Sequence, residues 1–169
     1  MKRFYQLVLL LLLMNTGSLK ASHIVGGHVS YRCIAPGHYE FTINMYRNCI
    51  SQSIDVFAIP APVTVYRGNA APYTEVITRQ VSLTGVPVEV PLDDNPCLII
   101  PPDICVEEGR YVFELLLPVV NESYHVTFQR CCRNSSISNI DTPNRRGATF
   151  TIELLPAAQQ VCNSSPDYN

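Results

Sequence analysis

The sequence predicts an all-β fold, an antiparallel Ig-like β-sandwich of about eight strands stapled by disulfides. Three observations point there. Short runs rich in β-branched and aromatic residues recur every ~8–15 residues between turn signals. Thirteen prolines interrupt the chain, and no stretch carries the apolar period of an amphipathic helix. Seven cysteines all lie beyond an N-terminal segment with the form of an export signal, which reads as a disulfide framework.

That segment begins with the charged Met1-Lys2-Arg3, continues through the apolar run Leu7 to Met14, and ends in small residues up to Ala21. Residues 1–21 are therefore expected to be a secretory signal peptide, the apolar run being too short for a membrane span of about 20 residues. No second hydrophobic segment follows, so an integral membrane protein is not expected. Both lysines and Arg3 leave with the signal. The remainder holds nine arginines against fourteen acids, a net charge of −5. An acidic surface repels phosphate backbones, which argues against nucleic acid as a partner.

In chain order, Ile24-Val25-Gly26-Gly27 opens a first strand that runs through Val29 to Cys33, and Ala35-Pro36-Gly37 is a turn. The same four residues open activated trypsin-like proteases. Here no Gly-Asp-Ser-Gly-Gly nucleophile loop accompanies them, so a bulged strand is the expectation. From Tyr39 to Cys49 the alternation is the clearest in the chain, with Tyr39, Phe41, Ile43 and Met45 on one face. Ile54 to Arg67 is β-rich but holds Pro60 and Pro62, which suggests a sheet edge or a break. Strands are expected at Thr74–Leu83, Val86–Val90, Tyr111–Leu117, Tyr124 to Cys131, and Gly147–Leu154. Asp93-Asp94-Asn95 reads as turn chemistry, since the Asp-rich loop of a calcium site is absent. The domain is taken as 22–156, with 157–169 a linker or truncated continuation.

The mature cysteines are Cys33, Cys49, Cys97, Cys105, Cys131, Cys132 and Cys162. No pair has the C-x₂₋₄-C spacing of a zinc site, so no metal and no cofactor is expected. Cys97 and Cys105 are close enough for a local bridge, which is the favoured pairing. Cys131 and Cys132 should face opposite sides of a strand, and so are assigned separate partners among Cys33, Cys49 and Cys162. The odd count leaves one thiol over.

Several segments together resemble a known family. They are His23-Ile24-Val25-Gly26-Gly27 with Ser30-Tyr31 and Cys33, Tyr46-Arg47-Asn48-Cys49, Cys105-Val106-Glu107-Glu108-Gly109-Arg110-Tyr111, Phe128 to Asn134, Asn139-Ile140, and Asn163-Ser164-Ser165-Pro166. The pattern is similar to the N-terminal domain of large exported cell-surface proteins of gliding bacteria, the Bacteroidetes. Gln129-Arg130-Cys131-Cys132-Arg133-Asn134 carries most of the likeness. His28 departs from it, since relatives usually have Glu there. The relatives often carry Ig-like or PKD-like repeats and a gliding-motility sorting domain, which these residues do not contain. The resemblance implies a cell-surface module serving adhesion, gliding motility or surface architecture.

Catalysis needs a nucleophile with a base, or paired acids in a cleft. His23, His28, His38 and His125 show no such pairing, and Glu107 and Glu108 are adjacent and expected to be solvated. No catalytic residue is therefore assigned, and the chain is not expected to be an enzyme. Arg130, Arg133, Arg145 and Arg146 are a candidate patch for an anionic ligand, against the simpler expectation that they pair with acids or stack on tyrosines. The alternatives are a carbohydrate-binding module, needing exposed coplanar aromatics, and a secreted hydrolase, needing an acid–base cleft. Expected partners are other domains, surface proteins or polysaccharide. Asn121, Asn134 and Asn163 match the N-glycosylation triplet, which matters only in a eukaryotic secretory route.

Overall fold

A computed structural model describes residues 24–50, 57–91, 104–134 and 137–166. The expected signal peptide, the Asp93 turn and Cys97 lie outside these residues. Side-chain alternation gives strands with one apolar and one polar face, and two such faces close on each other. β1 (Ile24–Ala35), β2 (His38–Asn48), β5 (Val88–Glu89) and β6 (Val106–Leu116) form one antiparallel sheet in the order β1-β2-β6-β5. β3 (Ala61–Arg67), β4 (Thr74–Val81), β7 (Tyr124–Arg130) and β8 (Ala148–Leu154) form the other, in the order β4-β3-β7-β8. The chain is thus a disulfide-stapled all-β sandwich.

The core follows the alternation. Tyr39, Phe41, Ile43 and Met45 of β2 are each at most 1% exposed. Tyr111 and Phe113 of β6 and Val63, Val126 and Phe128 of the second sheet complete the buried layer. Phe41 stacks on Phe113 at 5.7 Å within its sheet, and Tyr111 meets Phe128 across the sandwich at 6.2 Å. The β1–β2 turn needs Gly37. Its φ is +79°, a conformation that L side chains rarely adopt, and an added Cβ would approach the Leu117 carbonyl oxygen to 3.3 Å.

Of the sheet edge or break that its prolines suggested, the edge is not found: β3 is an inner strand. It starts after Pro60. Pro62 pairs with Gln80 of β4, while pairing with β7 begins only at Val63. The missing N–H therefore falls just beyond the ladder with β7, where it costs no bond to that strand.

Two cysteine expectations are corrected. Cys105 pairs with Cys49, not Cys97, at a Cα separation of 5.2 Å. The reason is register: Asn48 of β2 lies opposite Val106 of β6, so Cys49 and Cys105 are the next facing positions. Cys131 and Cys132 bridge each other rather than separate partners. β7 ends at Arg130, and Cys132 turns to φ +79°, so strand alternation no longer separates the two side chains. Their Cα atoms are 3.7 Å apart, shorter than an ordinary bridge spans, and the left-handed residue accommodates the closure. The third bridge, Cys33–Cys162, joins residues 129 apart in sequence.

The residues after Pro156 are not an extended linker as far as Pro166. A short helix, α1 (Pro156–Gln160), carries the fully buried Gln159. Its Oε1 accepts from the Val120 N–H at 3.0 Å, and its Nε2 donates to the carbonyls of Glu122 (2.8 Å) and Leu154 (3.1 Å). The chain then returns along β1. Ser165 N–H donates to the Tyr31 carbonyl at 2.9 Å, and the N–H groups of Tyr31 and Cys33 donate to the hydroxyls of Ser165 and Ser164. An exposed row of strand donors is thereby covered.

Trypsin cleaves after Arg130 and Arg133, so the oxidised chain should release Cys131-Cys132-Arg133 lighter by two hydrogens than its reduced form. Non-reducing peptide mapping checks this. Either cysteine appearing in a cross-link to a distant peptide contradicts the pairing.

Candidate functional site

The arginine-rich end is built from the turn after β7. Cys132 N–H donates to the Arg146 carbonyl at 3.2 Å, Arg133 N–H is shared between the carbonyls of Pro143 and Arg146, and Asn134 N–H donates to Ile24. The 3₁₀ turn Pro143–Arg145 brings Arg145 and Arg146 beside this segment. Two of the four guanidinium groups brace the loops themselves. Arg133 Nε donates to the Gly147 carbonyl at 3.0 Å, and Arg146 Nε donates to that of Asp141 at 3.3 Å. Arg130 lies on the core side of β7, where its charge is felt by the buried Tyr111 phenol. The four cations share one end of the sandwich but do not aim at one point. Asn134 is only 5% exposed, so a glycan on that triplet would require it to leave the interior.

Three histidines have hydrogen-bond partners. His28 meets Asn44 at 3.1 Å, His38 Nε2 meets Glu114 at 2.8 Å, and His125 Nε2 meets the Gly68 carbonyl at 2.9 Å. His23 lies outside the described residues. Glu107 is not merely solvated. It accepts from Arg47 Nε at 2.9 Å, and that guanidinium lies over the Phe57 ring at 5.4 Å. Glu108, one residue on, takes the opposite face of β6. Among the described residues, no three His, Cys, Asp or Glu side chains gather as a metal site, and no helix is long and apolar enough to cross a membrane.

Among the described residues, three concavities stand out. One, about 500 Å³, opens between β4 and β6 and is lined by Ile77, Leu115 and Leu116. A second, about 360 Å³, lies where the returning tail meets β1, beside the Arg32–Glu40 ion pair. The third, about 460 Å³, lies on the outer face of the second sheet. Strand parity builds it. Tyr124, Val126 and Phe128 point inward on β7, so His125, Thr127 and Gln129 point outward. On β8, Thr149 and Thr151 face the same way. Register sets Tyr66 beside His125, and Thr64, Thr127 and Thr151 in one row across β3, β7 and β8. Thr127 and Thr151 share a hydrogen bond of 3.0 Å. Tyr73, from the loop before β4, leans on His125 with ring centroids 4.3 Å apart and planes tilted by 43°.

Sequence reasoning assigned no role to this groove. Its signal was present in the outward positions of β7 and β8, which are polar, with Glu153 opposite His125 the one carboxylate among them. What alternation alone does not give is which strands are neighbours. Protein-family models, curated proteins and solved structures were compared with the chain, and none matches.

Burial is the main electrostatic influence on the tyrosines. It pushes the Tyr111 phenol up to about 12, against the Arg130 charge that favours the phenolate, and raises Tyr31 and Tyr39 as well. In the unfolded chain these phenols titrate near 10.0. As pH rises from about 10 towards about 12 the unfolded chain releases protons first, so stability falls across that window and is unaffected below it. Urea melts at stepped alkaline pH should show this fall. Tyr111→Phe should blunt it, although the hydrogen bond from Tyr111 to the Ala58 carbonyl (2.9 Å) is lost.

Proposed function

We propose that the chain is a non-catalytic, exported β-sandwich module of a cell-surface protein, serving adhesion, gliding motility or surface architecture by presenting a face to a partner. The observation that carries this reading is the covalent stapling. Bridges spanning 129 and 56 residues persist in oxidising compartments and are rare in the cytosol. Long-span bridges restrict the unfolded chain most and suit a module exposed outside the cell. The hydrogen-bonded histidines and the Arg47–Glu107 pair support it further. Each of these groups has a partner within the fold, rather than a nucleophile to activate. The likeness of Gln129–Asn134 to surface proteins of gliding bacteria agrees, since in this chain that segment ties three parts of one end together.

In cells that make the protein, proteolysis of intact cells should remove the chain, and the purified oxidised chain should release no reducing ends from polysaccharides and no peptides from protein substrates. Finding the chain reduced in the cytoplasm would contradict the proposal. So would turnover that disappears in His38→Ala or Glu107→Gln.

A further inference from the structure

We infer that the outer face of the β4-β3-β7-β8 sheet is a binding site for a neutral, soluble saccharide, centred on Tyr73, His125 and Gln129. The inference rests on the non-catalytic surface role proposed above and names the ligand class it would serve.

The chemistry of the lining selects the ligand. The groove is walled by aromatic rings (Tyr66, Tyr73, His125) and floored by hydroxyl and amide side chains, with no Asp, Glu, Lys or Arg among its lining residues. An anionic ligand finds no Lys or Arg in the lining and meets carboxylates at its margin, Glu153 opposite His125 and Glu75 opposite Tyr66, while a cationic one finds no carboxylate within the lining itself. A purely apolar ligand would leave the Thr and Gln groups without water or partners, at a cost in free energy. A saccharide has what this surface asks for: hydroxyls that both donate and accept, and C–H faces that lie against rings. The cavity volume falls in the roughly 300–1,000 Å³ range of small-ligand sites.

Hydrogen-bonding capacity remains on each polar group. His125 Nε2 is 2.9 Å from the Gly68 carbonyl, which only accepts, so in the neutral ring Nε2 carries the proton and Nδ1 is left as an acceptor. In the Thr127–Thr151 pair one hydroxyl donates to the other, which leaves one O–H and several lone pairs unspent. Among the described residues, the Gln129 amide and the Thr149 hydroxyl make no side-chain hydrogen bond, and both are exposed.

The aromatic wall is held in place by the backbone. Gly68, at φ +148°, presents its carbonyl to His125, and a Cβ there would lie 3.2 Å from Tyr73 Cδ1. The Gly68 N–H is anchored in turn on the Ser123 carbonyl at 3.0 Å. Tyr73 remains 46% exposed, so one part of its ring is fixed against His125 while another is open to a ligand. The 43° tilt between these rings makes a wall, not the coplanar row expected for packed polysaccharide. That geometry suits single soluble chains.

The test is affinity electrophoresis of the full oxidised chain in native gels containing a soluble β-glucan, a galactomannan, a xylan or an α-glucan, with alginate as the anionic comparison. Retardation by at least one neutral polysaccharide is expected. Tyr73→Ala and Gln129→Ala should each weaken it by about tenfold or more, and Ser30→Ala on the opposite sheet should leave it unchanged. Thermal melts should show all three variants folded, as expected for exposed or half-buried positions, and Tyr66→Ala serves as a second wall variant. Failure of all four neutral polymers to retard the chain would overturn the inference. So would retardation that survives Tyr73→Ala and Tyr66→Ala, or retardation by alginate alone that is lost in Arg145→Ala. Release of reducing ends during the run would instead overturn the non-catalytic reading and leave the site standing.

Discussion

The structure depends on one constraint: the inward face of β2 has to be covered. Tyr39, Phe41, Ile43 and Met45 occupy alternate positions of a strand that pairs on both sides, with β1 and with β6. Each large apolar side chain taken from water contributes about 1.5–3 kcal/mol, and no single sheet can hide such a row. A second sheet must lie across it, and β3, β7 and β8 supply the apolar faces. The same parity that buries one residue exposes the next. The outer faces, and therefore any surface the module presents, are consequences of how its core is filled.

The covalent bonds follow this frame. Cys49–Cys105 continues the β2–β6 register by one position. Cys33–Cys162 fastens the returning tail to β1, whose donors Ser164 and Ser165 also satisfy. By the chain-entropy model, closing loops of 56 and 129 residues stabilises the fold by up to about 4–5 kcal/mol each. Cys131–Cys132 closes no long loop and restricts the unfolded chain little. Its place in the fold is local: it holds the turn whose N–H groups bond to the Arg146, Pro143 and Ile24 carbonyls.

Much of this was legible in the residues and some was not, for definite reasons. Alternation identified β2, β7 and β8 and the buried face of β2 because side-chain direction has a period of two along any strand. It gave no information on pairing between strands distant in sequence. Cys105 was therefore matched to its near neighbour Cys97 rather than to Cys49, and the Tyr66–His125 neighbourhood went unassigned. The bridge between Cys131 and Cys132 was dismissed because strand alternation was carried past Arg130, where β7 ends. Pro62 argued for an edge, but its missing donor falls just past the end of one ladder, which a sequence does not reveal. Gln159 looked like part of a polar tail. Only the three backbone groups it meets explain its burial.

The most direct measurement is the stability of two neighbouring variants, Phe41→Ala and Thr42→Ala, by urea unfolding of the oxidised chain. Phe41 is fully buried against Phe113, whereas Thr42 faces outward between Ser30 and Val112. The account predicts a loss of about 3–5 kcal/mol for Phe41→Ala and about 1 kcal/mol or less for Thr42→Ala. Equal losses, or a larger loss at Thr42, would contradict the parity on which the sandwich and its outer faces are built.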